Sequence, residues 1–149
     1  MLARALCSGS CASVCSSVLV SWFSHRRSRA AAAGTNATSH WIWPRQAHLR
    51  TGWSLRHTLT GYLIHHASSV FWATAFEALR NGRTSPRRTL ALASATAATA
   101  YLVDYKVVPP RLTPGFEKRL RSTDMFCIYA VFGAGLALPW LLARGRPKP

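Results

Sequence analysis

Two adjacent histidines, His65 and His66, lie in a stretch that has no formally charged side chain between Thr58 and Phe76. Imidazole nitrogens bind metals and haem iron, and they relay protons near neutral pH. In hydrocarbon each imidazole needs a polar partner, because an unpaired polar group there costs several kcal/mol. The pair therefore marks either a functional site or a buried structural hydrogen bond.

Asp104 is the carboxylate that the sequence places nearest to this pair. The patterns at 55–80 and 86–107 predict two helices joined by a short turn, which makes them antiparallel neighbours. Counting outward from that turn puts Asp104 level with residues 62–66. We therefore expect one polar layer inside the membrane, made of Tyr62, His65, His66, Tyr101 and Asp104.

This layer has a functional and a structural interpretation. In the first, His65, His66 and Asp104 are candidate ligands of a metal or haem, or members of a proton relay. In the second, a His–Asp or His–Tyr hydrogen bond locks the helices together. No HExxH, repeated Glu-x-x-His or CxxCH pattern is present. We predict no catalytic residue and no resident cofactor, with a metal or haem as the alternative.

Charged residues near the ends of these two helices suggest two further sites. Lys106 and Arg111 follow Asp104 and form a rim that either pairs with its carboxylate or binds an anionic lipid headgroup. Glu77 and Arg80 lie three residues apart on one helix, which predicts a structural ion pair.

The composition favours a membrane protein. Lys and Arg number 19 against 4 Asp and Glu, a net charge of +15, and 49% of the residues are hydrophobic. The basic residues fall between long apolar runs, as expected for flanks that meet anionic headgroups. Nucleic-acid binding is disfavoured, because these charges do not cover a polar fold. The four cysteines lack zinc-site spacing, and we assign them neither metal nor disulfide.

The predicted fold is an all-α integral membrane protein with three transmembrane helices and a short interfacial amphipathic helix. The spans are expected at about 55–80, 86–107 and 124–143, within a membrane domain covering 51–149. The second helix is rich in Ala and Thr and is expected to be central, because small residues let helices approach closely. Phe116 and Leu120 of the interfacial helix are expected to enter the lipid.

Residues 1–50 differ from the rest of the chain. They contain no acidic residue and are rich in Ser, Ala and Arg. We expect a mostly disordered basic arm with one weak helix; a targeting segment, a disordered tail and a mis-set start all fit this composition. Asn36-Ala37-Thr38 matches the glycosylation triplet, a match that is frequent by chance.

Two blocks carry a resemblance, YLIHHASSVFWATAFEAL and YLVDYKVVPPRLTPGFEKRL. Together they resemble small, uncharacterised three-span inner-membrane proteins of bacteria, over about residues 53–143. The resemblance implies a three-span helical protein of a bacterial inner membrane and supplies no activity, cofactor or catalytic residue.

For function, the sequence favours a non-enzymatic scaffold, assembly factor or accessory subunit. The alternatives are a membrane-embedded metal or haem protein using His65 or His66, and a subunit of a lipid or ion transport system. The expected partners are membrane lipids, with a larger membrane complex or a homo-oligomer. The expected location is a bacterial inner membrane, with the mitochondrial inner membrane as the alternative.

Overall fold

The computed structural model describes residues 1–81 and 85–144, and the regular elements in these ranges are all helical. The α-helices are α1 (Leu2–Ser28), α2 (Ala33–Thr38), α3 (Thr60–Arg80), α4 (Pro86–Leu102) and α5 (Ser122–Arg144). One π-helical segment, Leu55–Leu59, leads into α3, and another, Val103–Val107, continues α4. Short 3₁₀ segments occupy the connections, at Ser39–Trp41, Ala47–Leu49, Pro110–Leu112 and Phe116–Lys118.

The helices at 55–80 and 86–107 begin and end where the sequence analysis places them. Ser54 and Ser85 accept hydrogen bonds from backbone N–H groups three residues later, as N-caps do, and Pro86 follows at the first helical position. Asn81 ends α3 with a left-handed backbone (φ 45°). The sequence Asn81-Gly82 predicts the end of this helix, and Gly82 lies outside the described residues.

The four long helices form an up-and-down antiparallel bundle. Ser8 meets Glu77 and Ser16 meets His65, so α1 runs antiparallel to α3. The bond from Arg27 to Asp124 and the approach of Gly135 to Ala12 show that α5 is antiparallel to α1. The bond from Tyr129 to Asp104 and the approach of Gly133 to Ala97 show the same for α4. The most extensive contacts are those of α1 with α3 and α5. The expectation that the Ala-rich second helix is central is therefore wrong, and α1 takes that place.

The structure thus places a 27-residue helix where the sequence analysis expects a mostly disordered arm. Its buried face carries small residues at helical spacing: Ala5, Ser8, Gly9, Ala12, Ser13, Ser16, Val20 and Ser24. Small residues pack closely without being hydrophobic, so a search for an apolar stripe does not detect this face. The reading of residues 1–50 as a targeting segment stays a prediction.

Close backbone approaches join α1 to its neighbours. A Cβ added to Gly9 would lie 2.8 Å from the Cα of Val70 on α3, and one added to Gly135 would lie 2.6 Å from the Cα of Ala12. A Cβ on Gly133 would meet the Ala97 side chain at 3.1 Å, which places Gly133 of α5 directly against α4. Interfaces of this kind are typical of helices that pack in lipid.

Large apolar side chains point outward from all four long helices. Those exposed include Leu6, Val14, Val18, Trp22, Leu63, Phe71, Leu79, Leu90, Leu102, Phe126, Leu138 and Leu142. Buried positions meanwhile hold serines, threonines and even the charged pair Glu77 and Arg80. Larger apolar side chains such as Phe76, Ile128 and Leu136 are buried as well, so the bundle combines an apolar core with apolar side chains on its outer surface.

Two helices of the described chain, α1 and α5, are long and apolar enough to cross a membrane. The third predicted span coincides with α5, whereas α1 lies outside the predicted spans. The expected count of three spans is therefore not what the structure gives. Of the other two predicted spans, the α-helical part of the second has only 17 residues, while α3 carries two histidines and several hydroxyl side chains.

The expected interfacial helix is also corrected. Gly115, with a left-handed backbone (φ 89°), precedes a single 3₁₀ turn at Phe116–Lys118. Phe116 and Leu120 are buried against Val20, Met125 and Ile128 and do not project outward. Their apolar side chains have an internal partner, because α1 supplies Val20.

Asn36 of α2 organises the connection between α1 and α3. Its amide nitrogen donates to the carbonyl oxygens of Arg50 and Gly52, and its oxygen accepts from the hydroxyl of Thr58. The side chain is completely buried. In this fold the asparagine of the glycosylation triplet is a structural residue, and its buried, hydrogen-bonded amide leaves no room for a glycan.

Candidate functional site

A cavity of about 400 Å³ lies among α1, α3, α4 and α5. This volume falls within the range of small-molecule sites. Its walls are mostly apolar or aromatic and include a few polar groups. The lining residues are Ser16, Thr38, Trp41, Ile64, His65, Ala67, Ser68, Ser69, Phe71, Trp72, Ala100, Val103, Asp104, Val108, Leu112, Pro114, Phe116, Ile128, Tyr129 and Phe132.

His65 lies in the α3 wall of this cavity, and its partner is Ser16 of α1. The imidazole Nε2 is 2.8 Å from the Ser16 hydroxyl oxygen. That hydroxyl is also 2.7 Å from the carbonyl oxygen of Ala12. The Phe116 ring packs edge-on to the imidazole, with the two centroids 6.3 Å apart. Sequence reasoning missed Ser16 because it left the first fifty residues outside the fold.

Asp104 lines the same cavity, as the predicted register requires, but it bonds to a residue that the sequence analysis did not select. The Tyr129 hydroxyl of α5 donates to Asp104 Oδ2 across 2.5 Å. Tyr101 and Tyr105 pack against the Tyr129 ring, with centroids 5.3 and 6.1 Å away. The sequence offers one signal that could have identified Tyr129, because this polar side chain lies inside the apolar run of α5.

The predicted polar layer therefore divides into three parts. His65 and Asp104 face one cavity through separate partners, and Tyr101 joins the tyrosine cluster. His66 stacks on Tyr62 with ring centroids 5.8 Å apart, and neither residue lines the cavity. The Nδ1 atom of His66 is buried and has no hydrogen-bond partner. The hydrogen bonds that lock the helices are His–Ser and Tyr–Asp, in place of the expected His–Asp or His–Tyr pair.

A metal or haem finds little support in this geometry. The two imidazoles diverge, since one contacts Ser16 and the other stacks on Tyr62. Within 1–81 and 85–144 no cluster of three or more His, Cys, Asp or Glu side chains is placed to hold a metal ion. The cysteines there are free thiols.

The predicted ion pair of Glu77 and Arg80 is present in the structure, whereas the predicted rim of Lys106 and Arg111 does not pair with Asp104. Lys106 and Arg111 are both exposed. Among the described residues, the Asp104 carboxylate is hydrogen-bonded to Tyr129 and not to either of these cations. Glu77 and Arg80 are both buried and form the expected pair, with Arg80 Nη2 2.7 Å from Glu77 Oε2. The Ser8 hydroxyl donates to the other Glu77 oxygen at 2.7 Å, so this pair also ties α1 to α3.

A second polar cluster, which sequence reasoning did not identify, lies in the connections at the opposite end of the bundle from Glu77. The His40 and His48 rings pack 5.4 Å apart, and Lys118 Nζ lies 3.0 Å from His48 Nε2. Burial, followed by the positive charge of Lys118, lowers the pKa of His48 below its ordinary value. A neutral imidazole accepts the hydrogen bond that Lys118 donates.

Comparisons with protein-family models, curated proteins and solved structures find no match to this chain.

Proposed function

We propose that this chain is an integral membrane protein of a bacterial inner membrane, and that it binds an apolar membrane-resident molecule in the cavity between its helices. In this proposal it is a non-enzymatic accessory component that works within a larger membrane complex or as a homo-oligomer. The observation that carries the proposal is a ligand-sized cavity, walled by aromatic side chains, inside a bundle that carries large apolar residues on its outer surface.

The outward residues support the membrane part of the proposal. Leucine, phenylalanine and valine side chains project from the long helices, whereas glycine and alanine form the closest contacts between the helices. The core also buries larger apolar side chains such as Phe76 and Leu136, but in water the outward-facing side chains would remain exposed. In lipid the same apolar surface contacts acyl chains, and close backbone packing holds the helices together.

Two single-cysteine variants test the membrane placement. Ala134 is exposed near the middle of α5, and Gln46 is exposed in the connection between α1 and α3. In a cysteine-free background in vesicles, we expect Ala134→Cys to react with a charged maleimide at least about tenfold more slowly than Gln46→Cys, since thiolates form poorly in apolar surroundings. Equal rates in the intact protein would count against membrane insertion.

Two alanines of α3 test the cavity. Ala67 lines it, and Ala75 is exposed elsewhere on the same helix. The purified full chain is expected to retain a lipid that extraction and mass spectrometry identify. Ala67→Phe should lose that lipid because the phenyl ring fills the cavity, and Ala75→Phe should retain it. Retention by both variants would show that the lipid binds elsewhere.

A further inference from the structure

The cavity combines apolar walls with polar groups whose hydrogen-bonding roles can be assigned. We infer that its ligand is a neutral ring lipid that donates a hydroxyl hydrogen, of the phenol or hydroquinone class. This inference rests on the proposed function and adds the chemistry of the ligand. It follows from where the protons of the lining side chains go, which charges the lining contains, and which walls enclose the ligand.

The role of His65 follows from Ser16. A serine hydroxyl has one hydrogen to donate. The Ser16 oxygen lies 2.7 Å from the carbonyl oxygen of Ala12, a contact that is favourable only when the hydroxyl donates to it. Ser16 then has no hydrogen left for His65, so the imidazole donates through Nε2. A neutral imidazole with its hydrogen on Nε2 presents Nδ1 as an acceptor.

Three further donors of the lining also have protein acceptors, whereas no acceptor is described for the Thr38 and Ser68 hydroxyls or for the Trp72 indole. The Tyr129 hydroxyl donates to Asp104, the Ser69 hydroxyl to the carbonyl oxygen of His65, and the Trp41 indole to the carbonyl oxygen of Thr113. At His65 and Asp104 the groups that remain to meet a ligand are acceptors, while donors remain elsewhere in the lining. A ligand hydroxyl can satisfy both kinds of group, because it donates and accepts, whereas a carbonyl oxygen leaves the acceptors at His65 and Asp104 without a donor.

The charges in and around the cavity disfavour two other kinds of ligand. Among the described residues that line it there is no Lys or Arg, which a phosphate headgroup would require. An amphipathic cation would meet Asp104, yet it would have to approach a chain whose net charge is +15. A neutral molecule avoids both penalties.

The walls favour a planar ring. Trp41, Phe71, Trp72, Phe116, Tyr129 and Phe132 contribute aromatic surface to the lining. Aromatic side chains pack against a ring in offset or edge-on arrangements that add to the energy of apolar burial. The volume of about 400 Å³ admits one ring with part of a hydrocarbon tail.

A matched pair of ligands tests the inference. A decyl-substituted para-hydroquinone, kept reduced under anaerobic conditions, and the corresponding quinone share a ring and a tail and differ in the two hydroxyl hydrogens. Titration calorimetry of the full chain in nanodiscs should give a hydroquinone affinity at least about tenfold higher than that of the quinone, a difference of about 1.4 kcal/mol, because the quinone leaves buried acceptors without a donor. Equal affinities, or tighter quinone binding, would overturn the inference.

Variants separate this inference from the proposed function. Asp104→Asn keeps the size of the side chain and adds donor hydrogens, so it should lose the preference for the hydroquinone, whereas His66→Gln, outside the lining, should keep it. Ala67→Phe should abolish binding of both ligands. If the parent protein binds both ligands with equal affinity and Ala67→Phe abolishes both, the cavity is the binding site and only the requirement for a hydroxyl hydrogen is wrong. If Ala67→Phe blocks neither, the proposed cavity itself is wrong.

A spectroscopic measurement covers the case in which Asp104→Asn does not fold. The nitrogen-15 chemical shifts of His65 in the parent protein should report a hydrogen on Nε2 and a bare Nδ1. A hydrogen on Nδ1 would remove the acceptor on which the inference depends.

Discussion

Ser8 of α1 and Glu77 of α3, which are 69 residues apart in the sequence, share a buried hydrogen bond of 2.7 Å. The same carboxylate pairs with Arg80, and the more distant Arg4 lies 3.7 Å away. One acidic group therefore joins two helices and neutralises a buried guanidinium. Such an arrangement is costly to disrupt, because each partner is left in apolar surroundings without its counterpart.

Glu77→Ala is expected to lower the free energy of unfolding by about 3–5 kcal/mol, since it leaves the Arg80 guanidinium buried without its carboxylate. The matched comparison is Arg4→Ala, whose side chain is 49% exposed and should contribute about 0–1 kcal/mol. Unfolding in mixed micelles by added denaturing detergent measures both. Similar losses for the two variants would contradict the central role of Glu77.

Ser16→Ala should lower the free energy of unfolding by about 1–3 kcal/mol, because the Nε2 hydrogen of His65 loses its acceptor. Ser17→Ala is the control, since the Ser17 hydroxyl makes no hydrogen bond among the described residues. The same detergent titration compares the two variants. A larger effect at Ser17 would mean that the Ser16–His65 contact contributes little.

Gly135→Ala should separate α1 from α5 and destabilise the bundle by about 1–3 kcal/mol, because the new methyl group would lie 2.6 Å from the Cα of Ala12. Backbone atoms cannot move aside as a flexible side chain can. Gly52→Ala provides the control, since nothing lies within 4 Å of a Cβ at that position. Thermal unfolding of the two variants checks the difference, which should vanish if α1 does not pack against α5.

The stability of the connections should depend on pH through His48. Its folded pKa is lowered by burial and by Lys118, with smaller contributions from the charges of His40 and Arg119, and Glu117 opposes the shift. The unfolded chain, with the ordinary value of 6.5, therefore binds a proton more readily. Stability should be complete above that value and decline as the pH falls from it toward the lowered folded pKa.

His48→Gln should flatten this part of the pH profile, because glutamine does not titrate in that range. Unfolding midpoints of the parent and the variant, measured across the acidic range in the same buffer, give the comparison. A parallel decline in both proteins would assign the acid sensitivity to other groups.

The sequence predicts most of the helix boundaries. Ser54, Ser85 and Pro86 are local signals, and the helices they begin need no knowledge of the rest of the chain. The level of Asp104 relative to His65 also follows from counting outward along two helices joined by a short turn. Local chemistry and simple geometry are sufficient for these features.

The partners within the site are not predictable in this way. His65 meets a serine 49 residues earlier in the chain, and Asp104 meets a tyrosine 25 residues later. Serine faces of this kind carry no hydrophobic period, so α1 is missed and every contact that it makes is missed with it. Because α1 is missed, its Val20 is not available as a partner for Phe116 and Leu120, and these two side chains are wrongly expected to enter the lipid.

The position of α1 between α3 and α5 has a consequence for how this protein matures. Ser16 is one wall of the cavity, Ser8 anchors Glu77, and Ala12 covers Gly135. A peptidase that cut after α1 would open the cavity on the side of Ser16 and would remove the Ser8 hydrogen bond from Glu77. If the cavity holds the ligand that we propose, binding therefore requires that α1 stays attached.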